Sequence, residues 1–123
     1  GDAPTDSGYT ALTGGRYNAC ALDAAGGLTC WGGDTDEQVT QTPTSSGYTH
    51  MSGGRYHLCA VDATGGVECW GNDEDGQVSD IPSGSSFFAV SAGEYFVCAL
   101  DSTGPVVCWG NDEYEQCSDI LTY

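Results

Sequence analysis

Short apolar runs alternate with glycine-rich and acidic turns along this chain, and the first 39-residue unit shows the pattern clearly. Residues 17–22 read YNACAL and residues 28–31 read LTCW, two short runs that predict β-strands. Between them stands DAAGG at residues 23–27. Aspartate suits the start of a type I turn, and Gly26 can adopt the left-handed conformation that closes a three-residue hairpin loop. Each unit therefore begins to look like a tight β-hairpin.

The unit occurs three times without insertions, with every marker residue 39 positions from its counterpart. Within a hairpin, Cys20 and Leu22 lie on one face while Ala19 and Trp31 lie on the other, so apolar residues occupy both faces. Such hairpins are covered on both sides when they stack as propeller blades or solenoid repeats. The recurring cysteine, tryptophan and glutamine positions are Cys20, Cys59 and Cys98; Cys30, Cys69 and Cys108; Trp31, Trp70 and Trp109; and Gln38, Gln77 and Gln116.

We therefore predict an all-β fold of three four-stranded, propeller-type blades of 39 residues each, forming an incomplete ring or an open β-repeat array. Residues 9–13 would supply the first strand of blade one, and residues 38–41 a short edge strand. The chain is predicted to be a single repeat domain, 1–123. Its blades span about residues 7–45, 46–84 and 85–123, and residues 1–6 match the connectors between blades.

The seven cysteines indicate disulfides and an oxidising, extracellular or cell-surface location. Pairing Asp23 with Gly27 in the hairpin places Cys20 opposite Cys30, close enough for a cross-strand bridge. The alternative is buried free thiols, and the close cysteine spacing of zinc ribbons does not occur. Cys117 replaces the valine of the other units and is a candidate for an intermolecular bridge, or else a buried thiol. The predicted pairs are Cys20–Cys30, Cys59–Cys69 and Cys98–Cys108.

The charge balance excludes several classes of partner. Eighteen acidic residues stand against two arginines, Arg16 and Arg55, which gives a formal charge of −16. Binding to phosphate backbones needs clustered basic residues, so neither nucleic acid nor an anionic membrane surface is a predicted partner. No apolar run approaches the ~18 residues of a membrane-spanning helix, so no membrane insertion is predicted.

Candidate chemistry is sparse, and we predict neither an enzyme nor a cofactor. The chain lacks G-x-S-x-G and phosphate-binding loop motifs. Asp73, Asp75 and Asp112 in the acidic loops are weak candidates for calcium, but the late bidentate glutamate of a calcium loop is missing. The alternative is that these carboxylates are solvated turn residues.

The aromatic residues allow two interpretations. Trp31, Trp70 and Trp109 are predicted to pack between blades. Tyrosine and arginine are favoured at interaction hot spots, so a loop rim could form a protein-binding patch, with ordinary packing as the alternative. The residues of that predicted rim are Arg16, Tyr17, Arg55, Tyr56 and Tyr95.

Residues 91–101, SAGEYFVCALD, followed by VVCWG at 106–110, resemble the repeat of the regulator of chromosome condensation family. Residues 69–77 resemble the same repeat, and residues 81–84, IPSG, resemble its compact bacterial form. The resemblance implies a β-propeller scaffold whose loops bind proteins. Family functions include nucleotide exchange on a small GTPase, chromatin contact and inhibition of secreted enzymes, and the acidity and paired cysteines disfavour the first two.

Three blades cannot close a ring, since propellers need about four to eight. The end blades would expose apolar faces, such as those bearing Trp31 and Leu100. Two chains could close a six-bladed ring, chains could stack head to tail into a fibre, or the sequence could belong to a longer chain. We predict a secreted or cell-surface structural protein that self-associates through its blades. The alternative is an extracellular protein-binding module, with an inhibitor as one form, that acts through its blade loops on another protein.

Overall fold

The computed structural model describes Pro4 and residues 7–35, 37–74, 76–82 and 86–111. These residues form three separate antiparallel sheets, one in each repeat, and each sheet has its three strands in chain order. The described part contains no helix, so none that could cross a membrane. The strands are β1(Tyr9–Gly14), β2(Asn18–Asp23) and β3(Leu28–Gly32) in blade one; β4(Tyr48–Gly53), β5(His57–Asp62) and β6(Val67–Gly71) in blade two; and β7(Phe87–Ala92), β8(Phe96–Asp101) and β9(Val106–Gly110) in blade three.

The predicted all-β fold and hairpin register are confirmed. Cys20 lies opposite Cys30 and Leu22 opposite Leu28 in the β2–β3 pair, and the other two blades repeat this register. The turn closes as expected, because the Asp23 carboxylate accepts hydrogen bonds from the backbone N–H groups of Ala25 and Gly27, both at 2.9 Å. All three cross-strand disulfides are present: Cys20–Cys30, Cys59–Cys69 and Cys98–Cys108.

The predicted fourth strand is wrong for blades one and two, where residues 38–41 and 77–80 form turns. The N–H of Gln41 donates to the carbonyl of Glu37 at 2.9 Å. The Asp34 carboxylate accepts hydrogen bonds from the N–H groups of Val39 and Thr40 at 2.7 and 2.9 Å. Since these backbone donors are used inside the loop, they are not available to pair with a neighbouring strand.

The core lies between the blades. Each blade has a forward face, which bears the disulfide, and a backward face, which bears the tryptophan. The forward face of blade one packs on the backward face of blade two, and blade two packs on blade three in the same way. The buried residues at the two junctions are Cys20, Leu22, Tyr48, Met51, Leu58, Ala60 and Trp70, and then Cys59, Val61, Cys69, Phe87, Val90, Val97, Ala99 and Trp109.

A register shift in the first strand of each blade brings one more side chain to the backward face. In blade two the shift lies between Tyr48 and His50. Residues three apart point to opposite faces of a regular strand, whereas the extra residue of a bulge reverses this relation. Tyr48 and Met51 can therefore both be buried against blade one.

Candidate functional site

A hydrogen bond from a tryptophan to the backbone carbonyl of a glutamine joins blade two to blade one and blade three to blade two. The Trp70 Nε1–H donates to the carbonyl of Gln38 at 2.9 Å, and the Trp109 Nε1–H donates to the carbonyl of Gln77 at 2.9 Å. All four residues are buried. Because every residue type carries a backbone carbonyl, the recurrence of glutamine did not by itself predict this contact.

The backward face of blade one is open. Leu12 is 73% exposed, whereas Met51 at the same position of blade two is only 8% exposed. Tyr9, Leu12, Ala21 and Trp31 contribute to the lining of a cavity of about 440 Å³ on this face. No carbonyl among the described residues accepts the Trp31 Nε1–H. The structure thus places Trp31 at an uncovered end, unlike the other two tryptophans.

The forward face of blade three is open in the same way. Leu100 is 41% exposed, whereas Leu22 at its position in blade one is 4% exposed. Val106 is also exposed. Leu100 and Val106 help to line a largely apolar cavity of about 290 Å³ that also reaches Cys98 and Val90. Both ends of the stack therefore present apolar surface.

The loops between the first and second strands form a rim, and they bring together the five predicted rim residues. The Arg55 guanidinium pairs with the Glu94 carboxylate and donates to the Tyr95 hydroxyl at 3.2 Å. Arg16 donates to the Tyr56 hydroxyl at 3.3 Å. The hydrogen bond to Glu94 raises the pKa of Arg55 above its ordinary value. Each arginine thus reaches forward to the tyrosine of the next blade.

Tyr17 lies at the open end of this chain of contacts. It is 55% exposed and lies under the Arg16 guanidinium, whose carbon is 5.1 Å from the ring centroid. Tyr56 and Tyr95 are partly buried, with ring centroids 6.4 Å apart. The difference arises because no preceding blade covers Tyr17 among the described residues.

Glycines beneath the rim let neighbouring blades approach closely. A Cβ atom at Gly54 would lie 2.3 Å from the Gly93 carbonyl oxygen and 2.4 Å from the ring of His57. His57 is fully buried, with its Nε2 3.3 Å from the carbonyl of Phe96. This burial lowers the pKa of His57 below its ordinary value. Glycine is thus required here by packing.

The repeat model of the regulator of chromosome condensation (RCC1) family matches residues 48–77 and 89–116. Those segments contain the paired cysteines, the tryptophans and the glutamines of blades two and three, and blade one has the same spacing and fold. Blades two and three are RCC1-type repeats. No curated protein sequence matches it.

Several solved structures resemble the three-blade stack. The receptor kinase CR4 ectodomain of Physcomitrella patens is 28% identical, with 85% of this chain and 30% of that chain covered and a TM-score of 0.74. The CRINKLY ectodomain of Arabidopsis thaliana ACR4 is 25% identical, with 83% and 38% covered and a TM-score of 0.72. Prp20p of Saccharomyces cerevisiae is 20% identical, with 89% and 33% covered and a TM-score of 0.70, which supports the fold alone. The chain spans about a third of the length of these structures.

The acidic loops of the RCC1 repeats use at least one candidate carboxylate internally. Asp73 accepts hydrogen bonds from the N–H groups of Val78 and Ser79 at 2.7 and 2.8 Å, so it closes its own loop. Within the described ranges, no group of three or more His, Cys, Asp or Glu side chains is placed to share a metal ion. Asp75, Asp112 and Cys117 lie outside the described residues.

Proposed function

We propose that this chain is an extracellular structural module that associates with copies of itself, head to tail. The forward face of blade three in one copy would pack on the backward face of blade one in the next. The observation that carries this proposal is that the molecule already contains the same interface twice, between blades one and two and between blades two and three. The two uncovered ends are the separated halves of a third.

The positions exposed at the ends match positions buried at the internal junctions. Leu100 corresponds to Leu22 and Val61, which contact the following blade. Leu12 corresponds to Met51 and Val90, which contact the preceding blade. Full burial of a leucine side chain contributes about 1.5–3 kcal/mol. Several such side chains at each end provide a clear driving force for association.

Hydrogen bonding also supports a second copy of the chain as the partner. At both internal junctions the tryptophan Nε1–H donates to the carbonyl of the glutamine in the preceding blade. Trp31 has no such acceptor within the described part of the chain. Gln116, which lies outside the described residues, repeats Gln38 and Gln77 in the sequence, and the repeat makes its carbonyl the expected acceptor in a preceding copy.

The disulfides and the relatives favour an extracellular location. Three disulfides form and persist most readily outside the reducing cytosol. The CR4 and ACR4 structures are receptor kinase ectodomains. An acidic surface with −16 formal charge keeps such a module soluble before it assembles.

The test is the dependence of mass on protein concentration, measured by sedimentation velocity. We expect the wild-type chain to form multiples of its 12.7 kDa mass as the concentration rises. Leu12→Glu and Leu100→Glu should each shift the protein towards monomer, because a charge would enter an apolar junction. Phe88→Glu is the matched control, since Phe88 is exposed but lies beside the junction of blades two and three. A wild-type chain that stays monomeric at every concentration would refute self-association.

A second candidate function is the binding of a different extracellular protein at the rim. The rim holds the only two cationic side chains of the sequence together with the exposed ring of Tyr17. Tyrosine and arginine are enriched among binding hot spots. A monomeric wild-type chain whose binding to a secreted protein is lost in Tyr17→Ala and kept in Phe88→Ala would favour this function.

A further inference from the structure

We infer that Glu94 of one copy and Arg16 of the next form an ion pair that sets the direction of assembly. This inference rests on the proposed self-association and names the residues that control it. Both residues lie on the rim, in the loop between the first and second strands of their blades, 78 positions apart in the sequence.

The internal junctions define which rim residues meet. Arg16 of blade one reaches the hydroxyl of Tyr56 in blade two, and Arg55 of blade two reaches the hydroxyl of Tyr95 in blade three. Arg55 also pairs with Glu94, its own counterpart in the next blade. At both junctions the arginine therefore contacts the tyrosine one blade further on, and at the second junction it also contacts the residue at its own loop position.

The same contact at a junction between two copies places Glu94 of one copy beside Arg16 and Tyr17 of the next. Arg16 is exposed and has no carboxylate partner among the described residues. The Glu94 side chain remains 52% exposed although it already contacts Arg55. Its carboxylate therefore has room for a second guanidinium and for the Tyr17 hydroxyl.

The order of charges along the rim gives this pair its specificity. The loop position is arginine in blade one, arginine in blade two and glutamate in blade three. A junction of blade three with blade one therefore joins opposite charges. Complementary charges at an interface select the correct partner and orientation, and like charges oppose the wrong ones. Of the two arginines in the sequence, Arg16 is the one without a carboxylate partner in the described part of the chain.

The test exchanges the two charges. Arg16→Glu would place two carboxylates at the junction between copies, and Glu94→Arg would place two guanidiniums there. We expect each variant alone to associate about 3- to 10-fold more weakly than the wild type. An equimolar mixture should recover wild-type association, because every mixed junction again joins opposite charges. Glu74→Arg is the control for net charge, since Glu74 is exposed in a loop of blade two.

The possible outcomes separate the two proposals. If both variants assemble like the wild type and mixing changes nothing, the ion pair is refuted while self-association stands. If the wild type is monomeric throughout, self-association itself fails and the ion pair fails with it. Circular dichroism of each variant establishes that it is folded before its mass is compared.

Discussion

At the scale of single residues, His57 provides a test of the packing between blades. Its side chain is fully buried, and this burial lowers the pKa of His57 below the ordinary value of 6.5. The unfolded chain therefore binds a proton at a pH where the folded chain does not. Because the unfolded state binds more protons, stability is greatest above pH 6.5 and is lost as the pH falls towards the folded-state pKa. We expect the free energy of unfolding, measured by urea denaturation, to decrease between pH 7 and pH 5.

The matched variant for this prediction is His57→Phe, because blade three has Phe96 at the same position. Phenylalanine carries no proton, so the part of the decrease that depends on His57 should disappear. The variant and the wild type should then differ in slope across this pH range. Parallel curves for the two proteins would show that His57 titrates normally and is not desolvated in the folded state.

At the scale of the strand and its turn, hairpin glycines join neighbouring blades. Gly26 has a φ of 83°, and its carbonyl accepts a hydrogen bond from the N–H of Tyr48 at 3.1 Å. A Cβ atom there would lie 2.6 Å from that nitrogen. Gly26→Ala should therefore strain the turn and also displace blade two, which would weaken the hydrogen bond between the blades.

Gly104→Ala separates these two effects. Gly104 also has a positive φ, 120°, but an added Cβ would meet no atom within 4 Å. Backbone strain alone should cost about 1–2 kcal/mol at Gly104. Gly26→Ala should cost roughly 1–3 kcal/mol more, since a backbone donor also loses its partner. Equal losses in urea unfolding would show that the contact between blades at Gly26 contributes nothing.

The elements that sequence could predict are those that depend on local chemistry. The hairpin register follows from the turn residues and the alternation of side chains, and it fixes the Cys20–Cys30 pairing. The bulge near Tyr9 was not predicted, because the sequence favours a regular strand over residues 9–13. In a regular strand Tyr9 and Leu12 would point to opposite faces. The turn at 38–41 was missed because its stability comes from the Asp34 carboxylate.

In the candidate site too, some features could be predicted from the sequence and others could not. The rim residues were recognisable by type, since two arginines and recurring tyrosines stand out in an acidic sequence. Their contacts depend on how one blade stacks on the next, which is a long-range property. The role of Gln38 likewise required knowledge that Trp70 of the following blade lies against its carbonyl. The sequence thus showed which residue types form the site, but it did not show which of them contact one another across the blades.

At the scale of the whole molecule, the apolar ends favour self-association and the large net charge opposes it. Copies that carry a formal charge of −16 repel one another, and this repulsion is long-ranged at low ionic strength. Raising the salt concentration shortens the screening length from about 30 Å at 0.01 M to about 8 Å at 0.15 M. Burial of the end faces depends much less on such screening. Self-association should therefore strengthen as NaCl increases over this range.

Light scattering at fixed protein concentration measures this response. We expect the average mass to rise between 10 and 150 mM NaCl, on the scale set by the screening length. CaCl₂ at equal ionic strength distinguishes screening from calcium binding by the acidic loops, because screening alone predicts a similar rise. Leu12→Glu should abolish the rise in mass in both salts. Screening reduces the repulsion between copies, but the apolar contact that holds them together is lost in this variant. A mass that falls with added salt would instead mean that ion pairs, and not the apolar faces, hold the copies together.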